Sequence, residues 1–129
     1  MIAETIAGPL QILIVENHAD TLDALNLYLE EVGHRVITSM TLKEAFSILV
    51  RCECDLVLCD IGLPDGTGWQ LAEELKKSNR RIFAVAMSGF GANADTARSR
   101  AAGFRHHLLK PFKPAELDRI LAEASAEKF

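Results

Sequence analysis

The chain has 129 residues, 49% of them apolar and 25% charged, with a formal net charge of −4. This is the make-up of one globular domain, and it excludes a low-complexity or collagen-like chain. No basic face is visible and no apolar stretch approaches ~20 residues, so neither direct nucleic-acid binding nor a membrane span is expected.

Residues 1–9 lack a basic start and a long apolar middle, so they are not a signal peptide and read as a flexible N-terminal extension. Residues 10–129 read as the single domain. The first apolar run, 11–15, is a strand that ends on Glu16-Asn17. Leu22, Leu25, Leu29 and Val32 then fall on one helical face, with Asp20 as the expected N-cap and Gly33 as the stop. A second strand, 35–38, precedes a helix that opens on the capping-box pattern Thr41-x-x-Glu44 and carries Ala45, Phe46 and Leu49.

The third strand, 56–59, is an apolar run that stops on a carboxylate, Asp60. A Pro/Gly-rich loop through Pro64, Gly66 and Gly68 follows, in which Asp65 reads as a solvated loop acid. Helical periodicity resumes with Trp69, a packing residue, then Leu71 and Leu75. A fourth strand, 82–87, runs into Ser88-Gly89. The fourth helix, 93–102, is polar and Ala-rich, has little to bury, and is expected to be the most mobile. A fifth strand, 107–109, closes on Lys110-Pro111. The last helix starts after Pro114 and presents Leu117, Ile120, Leu121 and Ala124 on one face.

Strand–helix alternation repeated five times implies an α/β fold with a doubly wound parallel sheet. The expected architecture is a flavodoxin-like (βα)5 three-layer sandwich with strand order 2-1-3-4-5. In that order the switch point lies between the first and third strands. Glu16, Asn17 and Asp60 should therefore share one crevice, with Ser88 and Lys110 on the same edge of the sheet. Crowded carboxylates need an ammonium or a divalent cation between them, and such oxygen ligands suit Mg²⁺ or Mn²⁺.

The other motifs are weak. None of His18, His34, His106 and His107 sits in a nucleophile motif, and no P-loop is present. Leu71 stands where Gly66-Thr-Gly68 would need a third glycine, so it is not a dinucleotide fingerprint. Cys52, Cys54 and Cys59 are an odd set without metal or redox spacing and read as structural thiols in a reducing compartment. What remains is an aspartate that accepts a phosphoryl group as an acyl phosphate.

Four segments, in order, carry a resemblance: Ile12-Leu-Ile-Val-Glu16-Asn17, Asp60-Ile-Gly-Leu-Pro64-Asp-Gly-Thr-Gly68, Ala86-Met-Ser88-Gly89, and Leu109-Lys110-Pro111-Phe112. Together they resemble the receiver domains of bacterial two-component response regulators, over roughly residues 10–125. The resemblance implies Asp60 as phosphoacceptor, Lys110 as its cationic partner, and Ser88 as the switch hydroxyl. It implies metal ligation by Glu16, Asn17, Asp60 and the Gly62 carbonyl, and a cis Lys110–Pro111 peptide. It also implies a cytoplasmic protein that takes its phosphoryl group from a histidine kinase or a histidine phosphotransfer domain. The switched face would be the fourth helix, fifth strand and fifth helix, read by a downstream protein or an attached output domain. The segment from Leu109 to Leu117 also resembles receivers attached to hybrid kinases. Phe90, beside the site, would hinder water and slow self-hydrolysis, and Gly89 would leave the acceptor accessible.

Two positions depart from the family pattern. Asn17 stands where a second carboxylate is usual, which should weaken Mg²⁺ binding by about 1–3 kcal/mol at the Coulomb strength of a partly buried pair. His107 stands where an inward-swinging Tyr or Phe is usual, and an imidazole also titrates near pH 6–7. A pH-dependent output is the expectation. Two rival readings follow from the same residues. Asn17 favours a pseudo-receiver, a binding module that is never phosphorylated. An aspartyl-phosphate phosphatase is disfavoured, because Gly62 stands where such enzymes carry a second Asp.

Overall fold

The computed structural model describes residues 9–89 and 93–128, the side chains of 93–95 excepted. The expected extension over 1–9, apart from Pro9, and Phe90 lie outside the described residues. The chain runs β1 (Gln11–Val15), α1 (Ala19–Glu31), β2 (Arg35–Ser39), α2 (Leu42–Arg51), β3 (Leu56–Asp60), β4 (Gly62–Leu63), β5 (Gly66–Thr67), α3 (Gly68–Lys77), β6 (Phe83–Ser88), α4 (Asn93–Ala102), β7 (His106–Leu109) and α5 (Pro114–Lys128).

Five strands form a parallel sheet in the order β2-β1-β3-β6-β7. With the short antiparallel pair β4–β5 set aside, this is the expected 2-1-3-4-5 arrangement. That pair, a tight turn within the loop after Asp60, was not expected. The central strands β3 and β6 are buried at every position, as strands covered on both faces must be. Alternation along them divides the core. Leu13, Val15, Val57, Cys59, Ala84 and Ala86 pack with residues of α2 and α3 on one face. Ile12, Ile14, Leu56, Leu58, Val85 and Met87 pack with those of α1 and α5 on the other. A fully buried Leu or Ile contributes about 1.5–3 kcal/mol, so these two layers are what fix the strand register.

Helix ends follow local chemistry with two surprises. Thr41 caps α2 by accepting from the Glu44 amide at 3.1 Å, but the Glu44 carboxylate reaches back to the Met40 amide, not to Thr41. The reciprocal capping box lies at α3 instead, between Thr67 and Gln70. At α1 the N-cap is His18 rather than Asp20, and its side chain makes no cap bond. Asp65 is not an idle loop acid: its carboxylate accepts from the amides of Leu42 and Lys43 at 2.7 and 2.9 Å, which ties the loop after β3 to the start of α2 and holds its carboxyl below the usual range. No described helix is long and apolar enough to cross a membrane.

Candidate functional site

The sheet register assembles the site. Val15 lies opposite Cys59, so the next residues, Glu16 and Asp60, leave their strands side by side. Asp60 pairs with Met87 and Ser88 with Leu109, which brings Ser88 and Lys110 to the same edge. Backbone bonds hold this edge in place: Glu16 donates to the Ser39 carbonyl at 3.0 Å, Ile61 to Met87 at 2.9 Å, and Lys110 to Ser88 at 2.8 Å. The Lys110–Pro111 peptide is cis, as the resemblance implied.

Lys110 is the hub. Its Nζ donates to Glu16 Oε1 at 2.7 Å and to Asp60 Oδ2 at 2.8 Å. Glu16 is fully buried, and Asp60 is 6% exposed. The second oxygen of Glu16 accepts from the His18 amide at 3.1 Å and lies 3.0 Å from His18 Nδ1. The second oxygen of Asp60 accepts from the Gly62 amide at 3.1 Å.

Two carboxylates thus share one ammonium, and they titrate apart. Burial alone would raise the Glu16 carboxyl, but bonds from Lys110 and His18 outweigh it and hold Glu16 below its usual range. Burial raises Asp60, Lys110 opposes this, and the neighbouring Glu16 adds to the rise, so Asp60 sits above its usual range. Burial works against the Lys110 charge, yet its two carboxylate partners hold its pKa above the ordinary value. Pairs pushed apart in this way mark sites where one group is kept ionised and the other is poised for chemistry.

The ligand atoms of Glu16, His18 and Asp60 lie within 4.8 Å of one another. Beside them in the chain, the Asn17 side-chain oxygen is shut off from solvent and has no hydrogen-bond partner among the described residues. Buried acceptors are rarely left so, and an oxygen-seeking cation would satisfy this one. The donor set therefore fits a divalent ion, even with an amide in place of a second acid. A Cβ built at Gly62 or Gly89 would meet open space, so neither glycine is forced by packing.

Ser88 and His107, the two residues expected to switch, are joined. His107 Nε2 lies 2.7 Å from Ser88 Oγ and its Nδ1 lies 2.8 Å from Ser99 Oγ on α4. Ser99, 1% exposed, also accepts from Trp69 Nε1 at 3.0 Å, and the Arg98 guanidinium stacks over the Trp69 ring. Sequence reasoning named Ser88 and His107 but missed Ser99, a lone serine in a polar helix. It also missed His18, whose only signal was its place one residue after Asn17. The three cysteines are free, and Cys59 is held as a thiol by burial and by the charges of Asp60 and Glu16.

Comparisons with known proteins agree with the fold. The family model described as response regulator receiver domain matches residues 12–122. The response regulator SaeR of Staphylococcus aureus is 30% identical over 106 residues, covering 82% of this chain and 46% of that protein, so the chain spans about half its length. A CheY-like response regulator receiver domain protein from Methanospirillum hungatei is 28% identical, covers 93% of this chain and 96% of its own, and superposes with a TM-score of 0.86. The receiver domain of the Francisella response regulator 1452 superposes at 0.87 with 19% identity, covering 93% and 99%, a likeness of fold alone.

Proposed function

This chain belongs to the response regulator receiver domain family, and from that premise we propose that it is a phospho-accepting signalling switch. One observation carries the reading: a single lysine, Lys110, grips Asp60 at the end of the third strand and Glu16 at the end of the first. Asp60 is the acceptor. A carboxylate oxygen attacks the phosphorus of a phosphohistidine on a histidine kinase or phosphotransfer domain; the P–O bond forms as the P–N bond breaks, and the leaving imidazole takes up a proton. Lys110 balances the charge on the incoming phosphoryl group, and Ser88 donates its hydroxyl to it. Glu16, Asn17, Asp60 and the Gly62 carbonyl would hold a Mg²⁺ or Mn²⁺ ion, which neutralises phosphoryl oxygens when bound. Asn17 makes that binding weak.

Movement of Ser88 alters its bond to His107, and the face made by α4, β7 and α5 is the readout for a downstream protein or an attached output domain. A cytoplasmic location, no enzyme activity beyond its own phosphorylation and dephosphorylation, and a domain spanning 10–129 complete the reading. Intact mass after incubation with acetyl phosphate and Mg²⁺ tests it: the chain should gain one phosphoryl group and Asp60→Ala none. Asn17 supports a second reading, a pseudo-receiver that binds partners without phosphorylation. No mass gain at tens of millimolar Mg²⁺ would select it.

A further inference from the structure

We propose that His18 is a ligand of the divalent ion in this site, and that the site prefers a transition ion such as Mn²⁺, Co²⁺ or Zn²⁺ to Mg²⁺. This deepens the receiver reading and rests on it. His18 Nδ1 lies 3.0 Å from the Glu16 oxygen that Lys110 does not touch, which also accepts from the His18 amide at 3.1 Å. In octahedral coordination with bonds of about 2.1 Å, neighbouring ligand atoms are about 3.0 Å apart. The pair already has that spacing, and an ion would take the place of the proton that now joins the two atoms. Asp60 supplies the third ligand atom of the group, within 4.8 Å of both others.

Two independent observations agree. His18 holds the N-cap position of α1 yet makes no side-chain cap bond, so its imidazole is not committed to the helix. The Asn17 side-chain oxygen, one residue earlier, is buried and lacks a partner among the described residues. The chemistry of the set then decides the metal. Mg²⁺ wants oxygen ligands and charge, and Asn17 removes one anionic oxygen. An imidazole nitrogen offers Mg²⁺ little, but it strengthens binding of ions further along the Irving–Williams order. The His18 ring is 70% exposed, so it can turn onto an ion without disturbing the core.

The test is metal titration of the full chain by calorimetry, with MgCl₂, MnCl₂ and ZnCl₂, on the wild type and on His18→Ala. Mn²⁺ and Zn²⁺ should bind at least about tenfold more tightly than Mg²⁺ in the wild type. His18→Ala should lose about tenfold in affinity for both while its Mg²⁺ affinity moves less than about twofold. Pulsed electron paramagnetic resonance of bound Mn²⁺ gives a direct readout: nitrogen coupling in the wild type, absent in His18→Ala. Equal affinities in the two proteins, or no nitrogen coupling, overturns the inference. Phosphorylation of the wild type in Mg²⁺ and in Mn²⁺, read by intact mass, is the separate arm. If it succeeds in either ion while His18→Ala changes nothing, only the His18 assignment falls; if it fails in both, the phospho-accepting reading falls, and the nitrogen coupling still decides His18.

Discussion

Nε2 of His107 lies 2.7 Å from the Ser88 hydroxyl, so the hydroxyl proposed to switch and the ring proposed to answer it are already hydrogen-bonded. The other ring nitrogen is held 2.8 Å from Ser99 on α4, and Ser99 in turn accepts from Trp69. Displacement of Ser88 toward Asp60 must therefore disturb a chain of bonds that ends on an indole. Beryllofluoride with a divalent ion is expected to change Trp69 fluorescence. His107→Phe keeps a ring of similar size but has no hydrogen-bonding nitrogen. It should abolish most of the fluorescence change while Asp60 still gains a phosphoryl group by intact mass. An undiminished change in His107→Phe would show that the route does not run through this ring.

Protonation should alter the same route. A neutral imidazole donates through one nitrogen and accepts through the other, whereas an imidazolium donates through both. An imidazolium at this position would require the Ser88 and Ser99 hydroxyls both to accept from the ring nitrogens. The size of the activation-induced fluorescence change should therefore differ between pH 8 and pH 5.5 in the wild type. It should not differ in His107→Phe. Identical wild-type responses would remove pH dependence from the account.

Much of this was legible in the sequence because the signals were periodic or placed at strand ends. All-apolar runs such as Leu56 to Cys59 mark strands buried on both sides, and five strand runs in all, separated by amphipathic stretches, leave few topologies. Glu16, Asp60, Ser88 and Lys110 each follow such a run, so the fold order alone brings them together. What stayed hidden depends on side chains from elements that carry no pattern. Ser99 lies in a helix with little amphipathic character, and its burial comes from α4 packing on α3 and β7. Asp65 and His18 act on backbone amides and a carboxylate through loop geometry, which composition does not report.

The shared lysine has a consequence for stability. The folded chain holds the Asp60 proton more tightly than an unfolded chain does, because burial and Glu16 together outweigh Lys110. The ionised carboxylate is thus a cost of folding that grows as pH rises through the folded value and persists above it. Asp60→Asn removes the charge, keeps the shape, and leaves an oxygen for Lys110 to bond. It should raise the urea midpoint at pH 7, with the gain shrinking as pH falls through the raised folded value toward the ordinary carboxyl range, as the wild-type carboxylate takes up its proton. A midpoint lowered at pH 7 would mean that the Lys110 bond dominates.

His34 predicts the opposite slope. Its Nδ1 accepts from the Leu10 amide at 3.0 Å, and burial holds its pKa below the ordinary value. The neutral ring therefore stabilises the fold above the unfolded-state value near 6.5, and this contribution is lost as pH falls toward the folded value. Loss of that one bond costs about 1 kcal/mol. His34→Asn offers an acceptor that does not titrate, so its stability should fall less between pH 7 and pH 5 than that of the wild type. Parallel pH profiles from urea unfolding would contradict this assignment.

Two neighbouring glycines should respond differently to the same added methyl group. At Gly68, the first residue of α3, a Cβ would stand 2.6 Å from the Asp60 carbonyl oxygen and 3.2 Å from the Ile61 Cα. Both are backbone atoms at the strand end that carries Asp60, the proposed phosphoacceptor, and the Gly68 amide is already bonded to the Ile61 carbonyl at 2.9 Å. Nothing there can swing aside, so α3 must shift away from β3. Gly68→Ala should cost about 1–3 kcal/mol and slow phosphorylation of Asp60, because the acceptor moves relative to Lys110. At Gly66 the added atom would meet Gln70 Oε1 at 2.6 Å and Leu42 Cδ2 at 2.7 Å, the ends of flexible side chains. Gly66→Ala therefore displaces the Gln70 half of the α3 capping box and leaves Asp60 where it is. Its cost should be near the low end of the range for a lost cap, about 0.5 kcal/mol, with the phosphorylation rate close to wild type. Urea midpoints and initial phosphorylation rates for the two variants decide the matter: equal losses in both quantities would mean that the start of α3 does not position the acceptor.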